Sequence, residues 1–291
     1  MRAQTPPFPA LAGLAAMLLA TPDLAAAEPA DAPVSVQEDR SGSAVEDEGL
    51  RELTTDRPDV TESPFTVDAG HFQLETTLFG HTRTRAAGGE PAADIYEFGT
   101  SNLRIGLADN FEIGIVWQPY GILHPRGGGA ATRGVGSVDL RAKLNLWGND
   151  GGTTALALLP YVTLPTDGAN GIGAAETGFG VIVLLAIDLG GGFGLGLNGA
   201  VEFTGEAEGR GLDAAGLVSA SLAQAWTDRL GSYAEVVWAF GEADAPGDVV
   251  TLNTGMTLAL GRDWQLDAGI NVGATRAADR LTSFIGISKR F

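Results

Sequence analysis

From residue 70 to the end of the chain, apolar and polar positions alternate. Leu140, Ala142, Leu144 and Leu146 fall on one side of a ribbon, and Asp139, Arg141, Lys143 and Asn145 on the other. Trp264, Leu266, Ala268, Ile270 and Val272 oppose Gln265, Asp267 and Asn271 in the same way. The pattern repeats in Phe72–Leu74–Thr76–Leu78, in Phe111–Ile113–Ile115–Trp117, along Val250 to Leu260, and from Leu281 to Phe291. Successive side chains of a strand point to opposite faces, so each run has one apolar and one polar side. The spacing predicts about twelve strands, near 70–83, 93–108, 110–123, 134–147, 153–165, 177–189, 193–204, 214–226, 231–241, 248–261, 263–274 and 280–291. Boundary uncertainty allows ten to fourteen. Asp109-Asn110, Gly148 to Gly152, Asp188 to Gly192 and Asp228 to Gly231 supply turn residues between runs. The run 214–226 is the least decisive, because Leu217, Val218, Leu222 and Ala225 also fit one face of a helix.

Alternation alone fits a soluble sandwich, with apolar faces packed together, or a spanning barrel, with apolar faces turned to lipid. Four features favour the barrel. The polar side is often charged, and a water-filled lumen tolerates that: Glu75, Arg104, Asp139, Arg141, Lys143, Glu202 and Asp267 are candidate lumen-facing residues. Trp117, Tyr120, Trp147, Tyr161, Trp226, Trp238 and Trp264 fall near strand ends, as interfacial girdles require. After the first 27 residues, the most apolar run, Thr177 to Ile187, is far short of the ~20 residues of a spanning helix. Lastly, the chain ends in an alternating strand closed by Phe291, like the C-terminal signal through which bacterial outer-membrane barrels meet their assembly machinery. The expected fold is all-β: a transmembrane antiparallel up-and-down β-barrel over residues 70–291, with the lipid bilayer as its partner.

The N-terminal quarter has a different grammar. Arg2, the apolar run Ala10 to Ala20 and Ala25-Ala26-Ala27 read as a Sec-type signal peptide cleaved after Ala27. Residues 28–69 hold twelve acids against three bases, Arg40, Arg51 and Arg57. The part through residue 52 shows no apolar period and reads as an acidic disordered linker. Residues 53–69 then pack charges, hydroxyls and two prolines, Pro58 and Pro64, which forbid a regular helix or a central strand. This segment is expected either to enter the lumen as a plug or constriction or to rest at the periplasmic mouth. Its charged side chains Asp56, Arg57, Asp59 and Glu62 could pair with Arg141, Lys143 or Arg104.

Composition narrows the chemistry. The chain has 291 residues, 36 acidic and 18 basic, for a net charge of -18, which disfavours nucleic acid. With no cysteine there is no disulfide, thiolate nucleophile or thiolate metal site. A regular strand through His71 and His81 puts both on the lumen side about 30 Å apart, too far to share a metal. No serine lies near a histidine in the pattern, so an outer-membrane lipase is not expected, and the glycine runs at 127–129 and 190–192 read as turns. No catalytic residue, metal or cofactor is expected, and the chain is not read as an enzyme. The 42 glycines fit curved walls and tight turns.

The run T-T-D-R-P-D-V-T-E-S-P-F-T-V-D-A-G-H-F-Q-L-E at residues 54–75 resembles the opening signature of the MetA-pathway phenol-degradation family of outer-membrane transporters. A-L-L-P-Y-V-T-L-P-T at 157–166 is similar to that family's mid-barrel segment, and the likeness spans roughly residues 53–291. The resemblance implies a Gram-negative outer-membrane barrel passing small, aromatic or hydrophobic compounds. It supplies no catalytic residue. The expected function is a porin-like route for passive passage of such cargo. The alternatives are a non-transporting barrel, serving as anchor or surface protein, and a soluble periplasmic binding barrel. Candidate outer loops near 84–94, 124–134 and 166–176 run to about eleven residues each, short for surface display.

Overall fold

In the computed structural model, which describes residues 49–86, 91–166, 171–205, 211–241 and 247–291, every one of the expected ribbons is a strand. The leader and the acidic linker through residue 48 lie outside the described residues, as do parts of the outer loops. The first stave is β1 (Phe72–Arg83). Three staves are each broken once: β2 (Ala93–Phe98) with β3 (Thr100–Ala108), β4 (Phe111–Trp117) with β5 (Tyr120–Pro125), and β6 (Thr132–Gly134) with β7 (Val138–Trp147). Eight more are continuous: β8 (Thr154–Leu164), β9 (Gly178–Gly190), β10 (Phe193–Gly205), β11 (Leu212–Ala225), β12 (Leu230–Phe240), β13 (Val249–Ala259), β14 (Trp264–Gly273) and β15 (Leu281–Arg290). Each stave pairs antiparallel with the next, and β15 returns to β1 with Gln73 opposite Arg290 and Arg83 opposite Leu281. The result is a closed barrel of twelve staves. Closure pairs every strand edge, which a bilayer demands of any chain that crosses it without helices.

The three breaks have local causes. Gly99 takes a φ of 72° between β2 and β3, a conformation open to glycine at little cost. Beside it, Pro119 has no N–H to donate and splits β4 from β5. On the next stave, the Gly136 N–H reaches back to the Gln118 carbonyl at 2.8 Å, between β6 and β7. The run at 214–226 resolves as strand β11: its neighbours on both sides are strands, so Leu217 turns inward and Leu222 outward, as a period of two dictates.

Burial is inverted relative to a water-soluble protein. Leu252 is 57% exposed and Ile285 49%, whereas Glu75, Arg104 and Lys143 are each 1% exposed. Apolar side chains cover the outside and charges fill the inside, as in a barrel set in lipid. Aromatic residues ring both ends. Phe72, Trp147, Phe193, Trp226, Trp264 and Phe291 lie at the end where the chain starts and stops. Phe79, Phe98, Tyr120, Phe179 and Trp238 lie toward the other end.

Two expectations are corrected. Tyr161 belongs to no girdle: it faces the lumen, where its hydroxyl donates to Glu202 Oε2 at 2.8 Å. His81 does not face the lumen. A bulge between Thr77 and Phe79 adds one residue to β1 and reverses its phase, so His81 turns to the outer face opposite Ser283. His71 precedes β1 at the rim and bonds the Ala69 carbonyl.

Candidate functional site

Residues 51–69 enter the barrel from the end that carries the chain terminus and lie inside it. A clasp at the mouth ties the two ends of the segment together. Arg51 Nε donates to Asp68 Oδ1 at 2.7 Å, and Arg290 Nη1 bonds both Asp68 Oδ2 at 3.3 Å and the Arg51 carbonyl at 2.7 Å.

Arg104, on β3, is the centre of the deeper contacts. Its Nε and Nη2 form a fork with Glu112 at 2.8 and 3.0 Å. Nη1 donates to Glu75 at 2.9 Å and to the Thr54 carbonyl at 3.2 Å, and Nη2 also donates to the Phe65 carbonyl at 2.7 Å. Those five bonds use all five donors of the guanidinium, two of them on the segment's backbone. Lys143 Nζ adds a 2.7 Å bond to Asp56 Oδ1, and the Asp56 N–H returns one to Glu75 Oε2 at 3.0 Å. Burial alone would raise the Asp56 carboxyl, but Arg104 and Lys143 hold it below its ordinary value.

The contacts continue around the wall. Arg57 forks onto Asp267, with Nη2 to Oδ1 at 2.7 Å and Nε to Oδ2 at 3.2 Å. Glu235 accepts the N–H groups of Val60 and Thr61 at 3.2 and 2.7 Å and the Thr61 hydroxyl at 2.6 Å. Arg141 Nη1 meets Glu62 Oε1 at 2.6 Å, while its Nη2 holds Asp139 at 3.3 Å. Asn145 donates to the Pro64 carbonyl at 3.0 Å, and Glu112 accepts the Val67 N–H at 2.7 Å. Where the segment lies closest to the wall, the wall is glycine: a side chain at Gly106 would strike the backbone of Val67 and Asp68, one at Gly196 the Thr61 side chain, and one at Gly286 the Arg57 guanidinium.

The structure thus brings Asp56, Arg57 and Glu62 of the segment together with Glu75, Arg104, Arg141, Lys143 and Asp267 of the wall. Arg57, a cation, pairs with Asp267 rather than with the lumen bases. Asp139 joins through Arg141, and Glu202 stands apart with Tyr161. Asp59 takes none of the three cations. Burial, reinforced by the nearby Glu235 carboxylate, pushes it up to about 7. Glu112, Glu235 and Ser219, whose hydroxyl pairs with that of Thr61 at 2.7 Å, are segment-holding residues that the sequence reading does not name. Each occupies an inward position of an alternating strand, and that is the signal by which they could have been found.

One arc of the wall is different. Ala157, Leu159 and Tyr161 of β8, Ile182 and Leu184 of β9, and Ala200 of β10 form a buried, largely apolar cluster facing inward. Among the described residues, no side chain of β8 or β9 hydrogen-bonds the segment. The segment's polar bonds thus spread around most of the circumference and spare this arc, and its Val60 packs against Leu217 of β11 and Val237 of β12.

The position of Asp59 gives the seat a pH dependence. Its ordinary value is 3.8, so the seated segment binds a proton more tightly than a solvated one. Below about pH 4 the carboxyl is neutral in either place. From about pH 4 up to about 7 the released carboxyl is ionised while the seated one is still held back by burial and the nearby Glu235 carboxylate, so the seated form loses stability relative to the released form until it too ionises. Current through the protein in planar bilayers is expected to rise between about pH 4 and pH 7 and to level off above, and Asp59→Asn to flatten that rise. A profile equally steep in the variant would show that another group is responsible.

A family model described as "Putative MetA-pathway of phenol degradation" matches residues 55–291. Among solved structures, the COG4313 outer membrane channel from Pseudomonas putida F1 superposes with a TM-score of 0.62 at 12% identity, covering 81% of this chain and 99% of that one. The NanC porin superposes with a TM-score of 0.51 at 8% identity, covering 74% of this chain and 98% of the porin. At such identities the likeness is one of fold. No curated protein matches in sequence.

Proposed function

The chain belongs to the MetA-pathway phenol-degradation family, and from that premise we propose that it is an outer-membrane channel closed by its own N-terminal segment. The fold is an outer-membrane barrel, and its environment is therefore the bilayer. The observation that carries the reading is the course of residues 51–69 through the lumen, bonded to β1, β3, β4, β7, β11, β12 and β14 but, among the described residues, to no side chain of β8 or β9. A closure fastened this way yields first along its apolar side, where few bonds must be replaced. Cargo following that seam meets Leu159, Ile182 and Leu184 on the wall, which favours small aromatic or otherwise hydrophobic solutes over sugars or ions.

The test uses detergent-purified protein whose electrophoretic mobility shifts on heating, reconstituted into vesicles. Swelling with a small hydroxylated aromatic is expected to exceed swelling with a sugar of similar mass. Rates equal to protein-free vesicles for both solutes, with no current steps in planar bilayers, would overturn the channel reading and leave an anchor or surface role.

Assembly is a second proposed property. The Phe291 ring stacks on Phe72 at 4.6 Å, and the two residues exchange backbone hydrogen bonds across the seam where the barrel closes. We take Phe291 to be the residue read by the assembly machinery. Phe291→Ala is expected to lower the heat-modifiable fraction recovered from outer membranes, and an undiminished yield would exclude that role.

A further inference from the structure

We propose that the outer end of β1, β2, β5 and β6 carries a lipid-facing docking patch for the phosphorylated headgroup of an outer-leaflet glycolipid. The patch exists because of the bulge in β1. Past it, residues paired across the sheet share the outward face. One row runs Ser283, His81, Tyr96, Ile122 and Arg133, and the next runs Leu281, Arg83, Asp94 and His124. Arg126 follows directly after β5 and reaches the same cluster.

Among the described residues of these rows Asp94 is the only carboxylate, and three bases converge on it: His81 Nε2 at 3.0 Å, Arg126 at 3.3 Å and Arg83 at 3.7 Å. One carboxylate cannot satisfy two guanidinium groups. The Arg83 and Arg126 side chains remain 39% and 41% exposed, and Arg133 is exposed as well. Counting Arg83, Arg126 and Arg133 against Asp94, the described groups of the patch have an excess of two positive charges on a chain whose net charge is -18.

Depth fixes the partner. Phe79, Phe98 and Tyr120 form an exposed aromatic row on the same face, with neighbouring centroids 5.5 and 6.0 Å apart. Such a row marks the boundary of the hydrocarbon layer. The Arg83–Asp94–His124 row lies four residues further along the strands, about 13 Å along them and, at a strand tilt of about 40°, about 10 Å above it. That is headgroup depth on the outer side, where the lipid of a Gram-negative outer membrane is a phosphorylated glycolipid. Among the described strand residues, outward-facing charges occur only here and at Lys289, at the opposite end, where the ammonium lies over the Trp264 and Phe291 rings. The cations are thus gathered where one kind of phosphate would meet them, and arginine suits it because its fork matches phosphate oxygens.

The test uses the full-length protein in detergent, titrated with purified lipopolysaccharide carrying only the inner core and read by native mass spectrometry. The wild type is expected to retain the glycolipid, and enzymatic removal of the lipid phosphates to abolish retention. The triple variant Arg83→Ser, Arg126→Ser, Arg133→Ser is expected to bind about fivefold more weakly for each charge removed. Arg229→Ser, in a turn at the other end, is expected to bind as wild type does. Undiminished binding by a folded triple variant, indifference to dephosphorylation, or equal retention of phosphatidylglycerol would each overturn the assignment. The dephosphorylation arm needs no variant, so the proposal stays testable even if the triple substitution fails to fold.

Discussion

Deletion of residues 53–69 is expected to convert the closed barrel into a conducting one. Planar bilayers containing the deletion variant should show frequent, long-lived current steps, severalfold larger than any from the full chain. The reason is geometric. A barrel of twelve staves is wide enough to enclose more than its own side chains, and here the surplus is taken up by the segment. The wall should survive the loss. Glu75, Glu112, Glu235 and Asp267 give up backbone and guanidinium partners but gain water, and the ladder that closes the sheet between β1 and β15 is untouched. Folding is checked by heat-shifted mobility before current is recorded. A folded variant that conducts no better than the parent would remove the idea that this segment is the closure.

The second large effect is expected from one side chain. Arg104 stands against three acids, Asp56, Glu75 and Glu112, with Lys143 the other cation touching that group. Arg104→Met takes the five groups from a formal charge of -1 to a set of -2, with the acids still buried. Removing one partner from a buried ion cluster costs about 3–5 kcal/mol. Water can enter a lumen more easily than a core, so part of that cost should appear as an unseated segment rather than an unfolded barrel. The expected result is a lower midpoint for heat modification together with a leaky channel at neutral pH. Arg104→Lys keeps the charge but not the five-donor fork, and should fall between. Glu202→Gln touches no residue of the segment and should change neither readout. If Arg104→Met were as tight and as heat-resistant as the parent, the cluster would be incidental.

The barrel was legible because a period of two leaves little freedom. Once Leu140 faces lipid, so must Leu144 and Leu146, and Arg141 and Lys143 must face inward. The turns declared themselves through Gly190-Gly191-Gly192, all with positive φ. What could not be read was anything set by a partner strand. The β1 bulge leaves no mark in T-T-L-F-G-H and arises from pairing to β15, so His81 was placed on the wrong face. The lumen was legible as a list of charges but not as a set of pairs. Asp56 and Glu62 find lumen bases, yet Asp59, three residues from either, meets an acid, because the segment's irregular path rather than its spacing decides what each side chain reaches. Lumen glycines such as Gly106 and Gly286 looked like curvature and turned out also to make room for the segment.

The clasp and the Arg57–Asp267 fork carry one more implication, about order in time. Arg57 finds its partner 210 residues further along the chain, and the Arg51 carbonyl finds Arg290 239 residues further along. The first cannot form until β14 is in place and the second until β15 is, and loops that long are slow to close. The part of the barrel that is synthesised first is therefore the part that settles last. Until the final hairpin arrives, an acidic, unpaired strand of polypeptide must wait beside an unfinished ring.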